Sequence, residues 1–88
     1  MKRWQVVWDD DDLREGNVCH IAERGLTTDD VEHVLGNPSA TSVSRNTKRP
    51  CCFGYTPSGD FIIVVYETID DETIYPITAY EVPKLEEE

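Results

Sequence analysis

With 88 residues the chain can build one hydrophobic core but not two, because a domain of this size buries only about 60 to 65% of the surface its unfolded chain exposes. A composition 39% hydrophobic and 30% charged, with the apolar residues clustered, excludes a disordered chain. The formal net charge of -10 excludes a uniform binder of nucleic acid or anionic membrane, since affinity for a polyanion comes from cations that displace its counterions. Met1-Lys2-Arg3 runs directly into Trp4 and then a wall of aspartates, which is not a leader pattern. No apolar run approaches the roughly 20 residues of a membrane span, so a cytoplasmic protein is expected.

Trp4 to Trp8 alternates aromatic and aliphatic residues and reads as a first strand. Asp9 to Asp12 ends it and leads into a helix predicted over Asp12 to Arg24, since carboxylates suit the exposed N–H groups of a first turn. Val18, Ile21, Ala22 and Gly25 share one stripe of that helix, with Asn17, His20 and Arg24 on the polar stripe beside it and Gly25 as its stop. Thr27 or Thr28 caps a second helix, with Asp29, Asp30 and Glu32 complementing its start. That helix buries Val31, Val34 and Leu35 and stops at Gly36-Asn37-Pro38.

Everything downstream reads as strand. Ala40 to Arg45 and Cys51 to Thr56 are joined by a hairpin loop at Asn46 to Pro50, and Pro57-Ser58-Gly59-Asp60 is a turn. Phe61 to Glu67 is the most apolar segment and is predicted as the central strand, covered on both faces. After the acidic turn Asp70-Asp71-Glu72, the last strand runs from Thr73 to Val82; Pro76 has no ladder donor, which demands an edge or a bulge there. The order β-α-α-β-β-β-β defines an α+β protein, with an antiparallel sheet and two helices packed on one of its faces. One domain is expected over 1–88, with the acidic tail 84–88 flexible and a radius of gyration of about 12 Å.

Charge is distributed unevenly. Residues 33–59 contain no Asp or Glu, while Arg45, Lys48 and Arg49 fall close together inside that interval. This basic island on an acidic body is a candidate phosphate site; the bland alternative is a solvated hairpin tip. Three cysteines, two of them adjacent, suggest reduced packing residues and no disulfide framework. A zinc site drawn from Cys19, His20, His33, Cys51 and Cys52 lacks the paired spacing that such sites use, so no metal or other cofactor is expected.

The chain also resembles a known family. The residues that carry the likeness are Asn17-Val18-Cys19-His20-Ile21-Ala22-Glu23-Arg24-Gly25-Leu26-Thr27, then Asp30-Val31-Glu32, Val34-Leu35 and Asn37-Pro38. They continue with Arg49, Gly54-Tyr55-Thr56, Gly59, Ile63-Val64-Val65-Tyr66-Glu67 and Pro76-Ile77-Thr78-Ala79-Tyr80-Glu81. In this order they resemble the BrnT-like toxins of the RelE-like superfamily, which belong to bacterial type II toxin-antitoxin systems. The resemblance implies a small metal-independent ribonuclease, or a degenerate relative of one, neutralised by a partner antitoxin. It departs at Tyr80, where the RNA-cleaving toxins usually carry Arg after a small residue, and at Glu86-Glu87-Glu88, where many continue with basic residues.

Such cleavage needs a base for the 2′-hydroxyl, positive charge for the phosphorane and an acid for the leaving oxygen. Arg45 and Arg49 are candidates to hold the phosphate bidentately, with Lys48 adding a point charge. His20 is a candidate acid or base, Glu67 or Glu81 a base, and Tyr66 or Tyr80 hydrogen-bond donors. Three cations make few phosphate contacts, so RNA binding is expected to be weak and salt-sensitive. The alternative is a non-catalytic interaction domain on the same scaffold, with acidic surfaces that bind a basic partner.

Overall fold

A computed structural model describes residues 4–43 and 48–82. Arg45, the first two residues of the predicted hairpin loop (46 and 47) and the acidic tail lie outside the described residues. The elements follow the predicted order: β1 (Gln5–Val6), α1 (Asn17–Ala22), α2 (Thr28–Gly36), β2 (Ala40–Val43), β3 (Pro50–Tyr55), β4 (Phe61–Thr68) and β5 (Thr73–Glu81). They form one five-stranded sheet in the order β1-β5-β4-β3-β2. The radius of gyration is 12.4 Å.

The β2 to β5 strands pair antiparallel, as short connections require. The sheet as a whole is mixed, because β1 adds to β5 in parallel, with Gln5 N–H donating to Glu72 O at 2.7 Å and Val7 N–H to Ile74 O at 2.9 Å. No tight turn ties β1 to a neighbour in sequence, so antiparallel pairing is not imposed on it; both helices and three strands intervene before β5.

β4 sits at the centre of the sheet and is buried on both faces, as its apolar run predicts. On one face Ile62 and Val64 join Cys52, Ile74 and Ala79 under the helices, which contribute Ile21, Leu26, Val31, Val34 and Leu35. On the other face Cys51, Ile63 and Val65 form a second cluster with Phe53, Tyr80 and Val82 against them. This alternation fixes which side chains share the face away from the helices.

Pro76 produces the expected bulge. Val65 pairs with Thr78 and Tyr66 with Pro76, leaving Ile77 extra on β5. The backbone groups of Ile74 and Pro76 turn toward the β1 side, where β1 has already ended. Pro76 therefore loses no ladder bond there, and its carbonyl accepts from Asn17 Nδ2 instead.

The first helix is shorter than its periodicity suggests. Residues 10–16 form successive turns, with Leu13 N–H donating to Asp10 O and Gly16 N–H to Leu13 O, and the helix begins only at Asn17. The cause is Asp9: its carboxylate takes the Asn17 N–H at 2.9 Å, fixing the helix start eight residues away. The stop is the predicted one. Gly25 has φ 79°, its N–H donates to Ala22 O, and Leu26 N–H donates to Ile21 O, the paired bonds of a Schellman motif. α2 opens with a reciprocal capping box between Thr27 and Asp30.

Candidate functional site

Chain alternation places Arg49, two residues before Cys51, and Glu67, two after Val65, on the sheet face away from the helices. Their side chains form an ion pair, Arg49 Nη1 to Glu67 Oε1, at 3.4 Å, with 42% and 61% exposure. An ion pair this exposed contributes about 0–1 kcal/mol to stability.

The next strand extends the rung. Tyr75 lies directly across from Glu67 on β5, and its hydroxyl donates to Asp9 Oδ2 at 2.6 Å. The Asp9 carboxylate holds the Tyr75 phenol above its usual range, and burial and the charge of Glu67 push the same way. Conversely, the Tyr75 hydroxyl holds Asp9 below the usual carboxylate range. The Asn17 N–H and the nearby charge of His20 lower it further. His20 itself is exposed on α1.

Asp9 is anchored by a buried residue. Asp9 N–H donates to Asn17 Oδ1 at 2.9 Å, and Asn17 Nδ2 donates to Val7 O at 3.0 Å and Pro76 O at 2.8 Å. Asn17 is 2% exposed, so the clasp joins β1, α1 and β5 from inside the protein.

The structure thus brings Arg49 and Glu67 together at one end of the sheet face away from the helices, whereas His20 belongs to α1 in the helix layer. Tyr80 stands on the same face but pairs with Ile63, four residues along β4 from Glu67, about 13 Å away at the usual strand rise. There the Arg24 guanidinium lies over its ring at 5.5 Å. Lys48 precedes Arg49 in a left-handed conformation, φ 61°. Glu81 pairs with Ile62 at the far end of β5, and Tyr66 faces the helix-side core.

Tyr75 and Asp9 were not among the sequence candidates. Folding the last two strands about Asp71 sets Glu67 opposite Tyr75, so Tyr75 was accessible from hairpin register. Asp9 was not, because 66 residues separate it from the tyrosine it holds.

The cysteines do not converge. Cys51 and Cys52 point to opposite faces of the sheet, and burial, then the neighbouring Cys51, pushes the Cys52 thiol up to about 12. Such a thiol is not a nucleophile at neutral pH. Among the described residues no three His, Cys, Asp or Glu side chains form a metal-binding group, and no helix is long and apolar enough to cross a membrane.

Fold and site together define a small α+β protein with a polar rung on the sheet face away from its helices. Residues 17–81 match the family described as a domain of unknown function, DUF4258, and the chain belongs to that family. No curated protein and no solved structure gives a significant match.

Proposed function

We propose that the chain is a BrnT-like relative within the RelE-like superfamily, acting in the cytoplasm as a metal-independent endoribonuclease or descended from one, and held by a cognate antitoxin. The observation that carries this reading is the exposed Arg49–Glu67 pair, a cation and a carboxylate side by side on an open sheet face. In the resting protein each neutralises the other. An RNA phosphate that draws Arg49 to itself leaves Glu67 as a base beside the bound sugar.

Glu67 then takes the proton of the 2′-hydroxyl, and the 2′-oxygen bonds to phosphorus. Arg49 stabilises the phosphorane, and the bond from phosphorus to the 5′-oxygen breaks. The products are a 2′,3′-cyclic phosphate and a 5′-hydroxyl that receives its proton from solvent. The toxins that Tyr80 departs from usually carry an Arg at that position; here Arg24 supplies a guanidinium over the Tyr80 ring and is suited to a flanking phosphate.

One observation favours a second reading, a non-catalytic domain that binds a basic partner. Asp10, Asp11 and Asp12 are all exposed in the turns before α1. Induced expression in bacteria separates the two. The nuclease reading requires growth arrest and RNA cleavage that survives a chelator, both lost in Arg49→Ala and Glu67→Gln and weakened in Arg45→Ala. Normal growth with intact RNA in cells making the unaltered protein would leave the interaction reading.

A further inference from the structure

The phenol of Tyr75 has only one proton, and the structure commits it. The hydroxyl donates to Asp9 Oδ2 at 2.6 Å, while Asp9 is held by the Asn17 N–H on the same oxygen and by its own N–H on Asn17 Oδ1. Gly16 makes room for this arrangement, since a Cβ there would stand 2.7 Å from the Asp9 Cβ. With its proton directed into the protein, the phenol oxygen keeps only its acceptor capacity. A ligand group that meets it must therefore donate.

The neighbours narrow the ligand further. Tyr75 is the cross-strand partner of Glu67, which holds Arg49, and strands lie about 4.8 Å apart, so the three side chains span roughly 10 Å of sheet. A ligand that places an anion on Arg49 and a hydroxyl donor on Tyr75 reaches across the position of Glu67 between them. A ribose bearing a 3′-phosphate does so, with the 2′-hydroxyl on the adjoining carbon.

We infer that Tyr75 is the acceptor for the ribose 2′-hydroxyl next to the phosphate on Arg49, and that this contact selects ribonucleotides over deoxyribonucleotides. The inference rests on the ribonuclease reading and names the group that enforces its substrate class. A tyrosine with a free hydroxyl would not discriminate in this way, because it could donate to many other groups. The Asn17–Asp9 clasp removes that freedom. The phenol also stays neutral, so it does not repel the phosphate. Glu67 flanks the same hydroxyl, and a three-centre bond lets Tyr75 orient the proton that Glu67 withdraws.

Binding measurements on uncleavable mononucleotides test this without depending on turnover. Adenosine 3′-monophosphate and its 2′-deoxy analogue are titrated into the full chain at low salt, followed by NMR shifts of the sheet residues. The unaltered protein is expected to prefer the ribose form about fivefold, the worth of one neutral hydrogen bond. Tyr75→Phe is expected to abolish the preference while leaving deoxy affinity unchanged, and Arg49→Ala to weaken both ligands.

Equal binding of the two by the unaltered protein, lost in Arg49→Ala, would keep the phosphate site and overturn the role of Tyr75. A preference that persists in Tyr75→Phe, or a variant that weakens both ligands alike, would overturn it too. Absence of binding by either nucleotide at millimolar concentration would remove the site reading along with the inference. Should Tyr75→Phe fail to fold, Asp9→Ala removes the acceptor that holds the phenol proton and must narrow the ratio; an unchanged ratio rejects the proposal.

Discussion

Asn17 does more than its place on a polar helix stripe suggests. Its side chain accepts from Asp9 N–H and donates to the carbonyls of Val7 and Pro76, all at 3.0 Å or less, in a setting that water does not reach. Replacing it by Ala leaves the buried Pro76 carbonyl and two part-buried backbone groups unmet, at about 1–3 kcal/mol for a fully buried one. Asn17→Ala is therefore expected to lower unfolding stability by about 3 kcal/mol in urea titration, with the transition midpoint falling and the slope unchanged. A loss below about 1 kcal/mol would mean that the clasp is not what joins β1 to the rest of the protein. The same substitution frees Asp9 to turn, so the electrostatics at Tyr75 depend on a residue that touches no ligand.

At the scale of elements, the two helices illustrate local and non-local control. α2 is specified by neighbours in sequence: Thr27 Oγ1 accepts from Asp30 N–H at 3.2 Å while the Asp30 carboxylate accepts from Thr27 N–H at 3.0 Å. Thr27→Ala removes a cap worth about 1 kcal/mol, whereas Thr27→Ser retains it; paired denaturation curves that fail to separate the two would show that packing alone holds the helix start. That packing is close. A Cβ on Gly54 would come within 3.1 Å of Val34 Cγ1, so β3 carries glycine where α2 lies on the sheet. α1 behaves differently. The Gly25 stop was legible because a left-handed residue after an apolar stripe is a local requirement, but the start depended on the Asp9 carboxylate reaching a distant N–H.

For the molecule as a whole, two carboxylates with lowered values contribute to its response to acid. Asp9 is held low first by the Tyr75 hydroxyl, and Asp70 first by the Glu72 N–H at 2.8 Å. Both folded values lie below the unfolded value near 3.8, so their contribution is present above that pH and is lost as pH falls through the folded values. Thermal melts are expected to show stability falling below about pH 4, with a smaller fall in Asp9→Asn. A drop of equal size in that variant would assign the acid response to other groups. Tyr75 mirrors this at the alkaline end. Its raised folded value makes its contribution complete below about pH 10, and lost as pH climbs from there through the folded value.

Charge also limits the proposed RNA contact. Arg24, Lys48 and Arg49 are the described cations on or beside the proposed face, with Arg45 near Lys48 in sequence. Four contacts to a single strand give a log-log salt slope of magnitude no more than about 3. A steeper slope in fluorescence titrations with single-stranded RNA would reveal a larger footprint than this face provides.

Periodicity, capping residues and turn signals determined the elements, their order, the central place of β4 and the bulge at Pro76, because each depends on residues within a few positions of one another. Residue type and charge singled out Arg49 and Glu67 as candidates, and the structure sets the two side by side. Only the tertiary structure decided the parallel addition of β1, the late start of α1 and the Asp9–Tyr75 contact. The first and last join segments far apart in the chain and the second spans eight residues, and the hydrogen bonds that fix them have no local period to announce them. It likewise set Tyr80 apart from Glu67, since position along a strand becomes distance only once register is known.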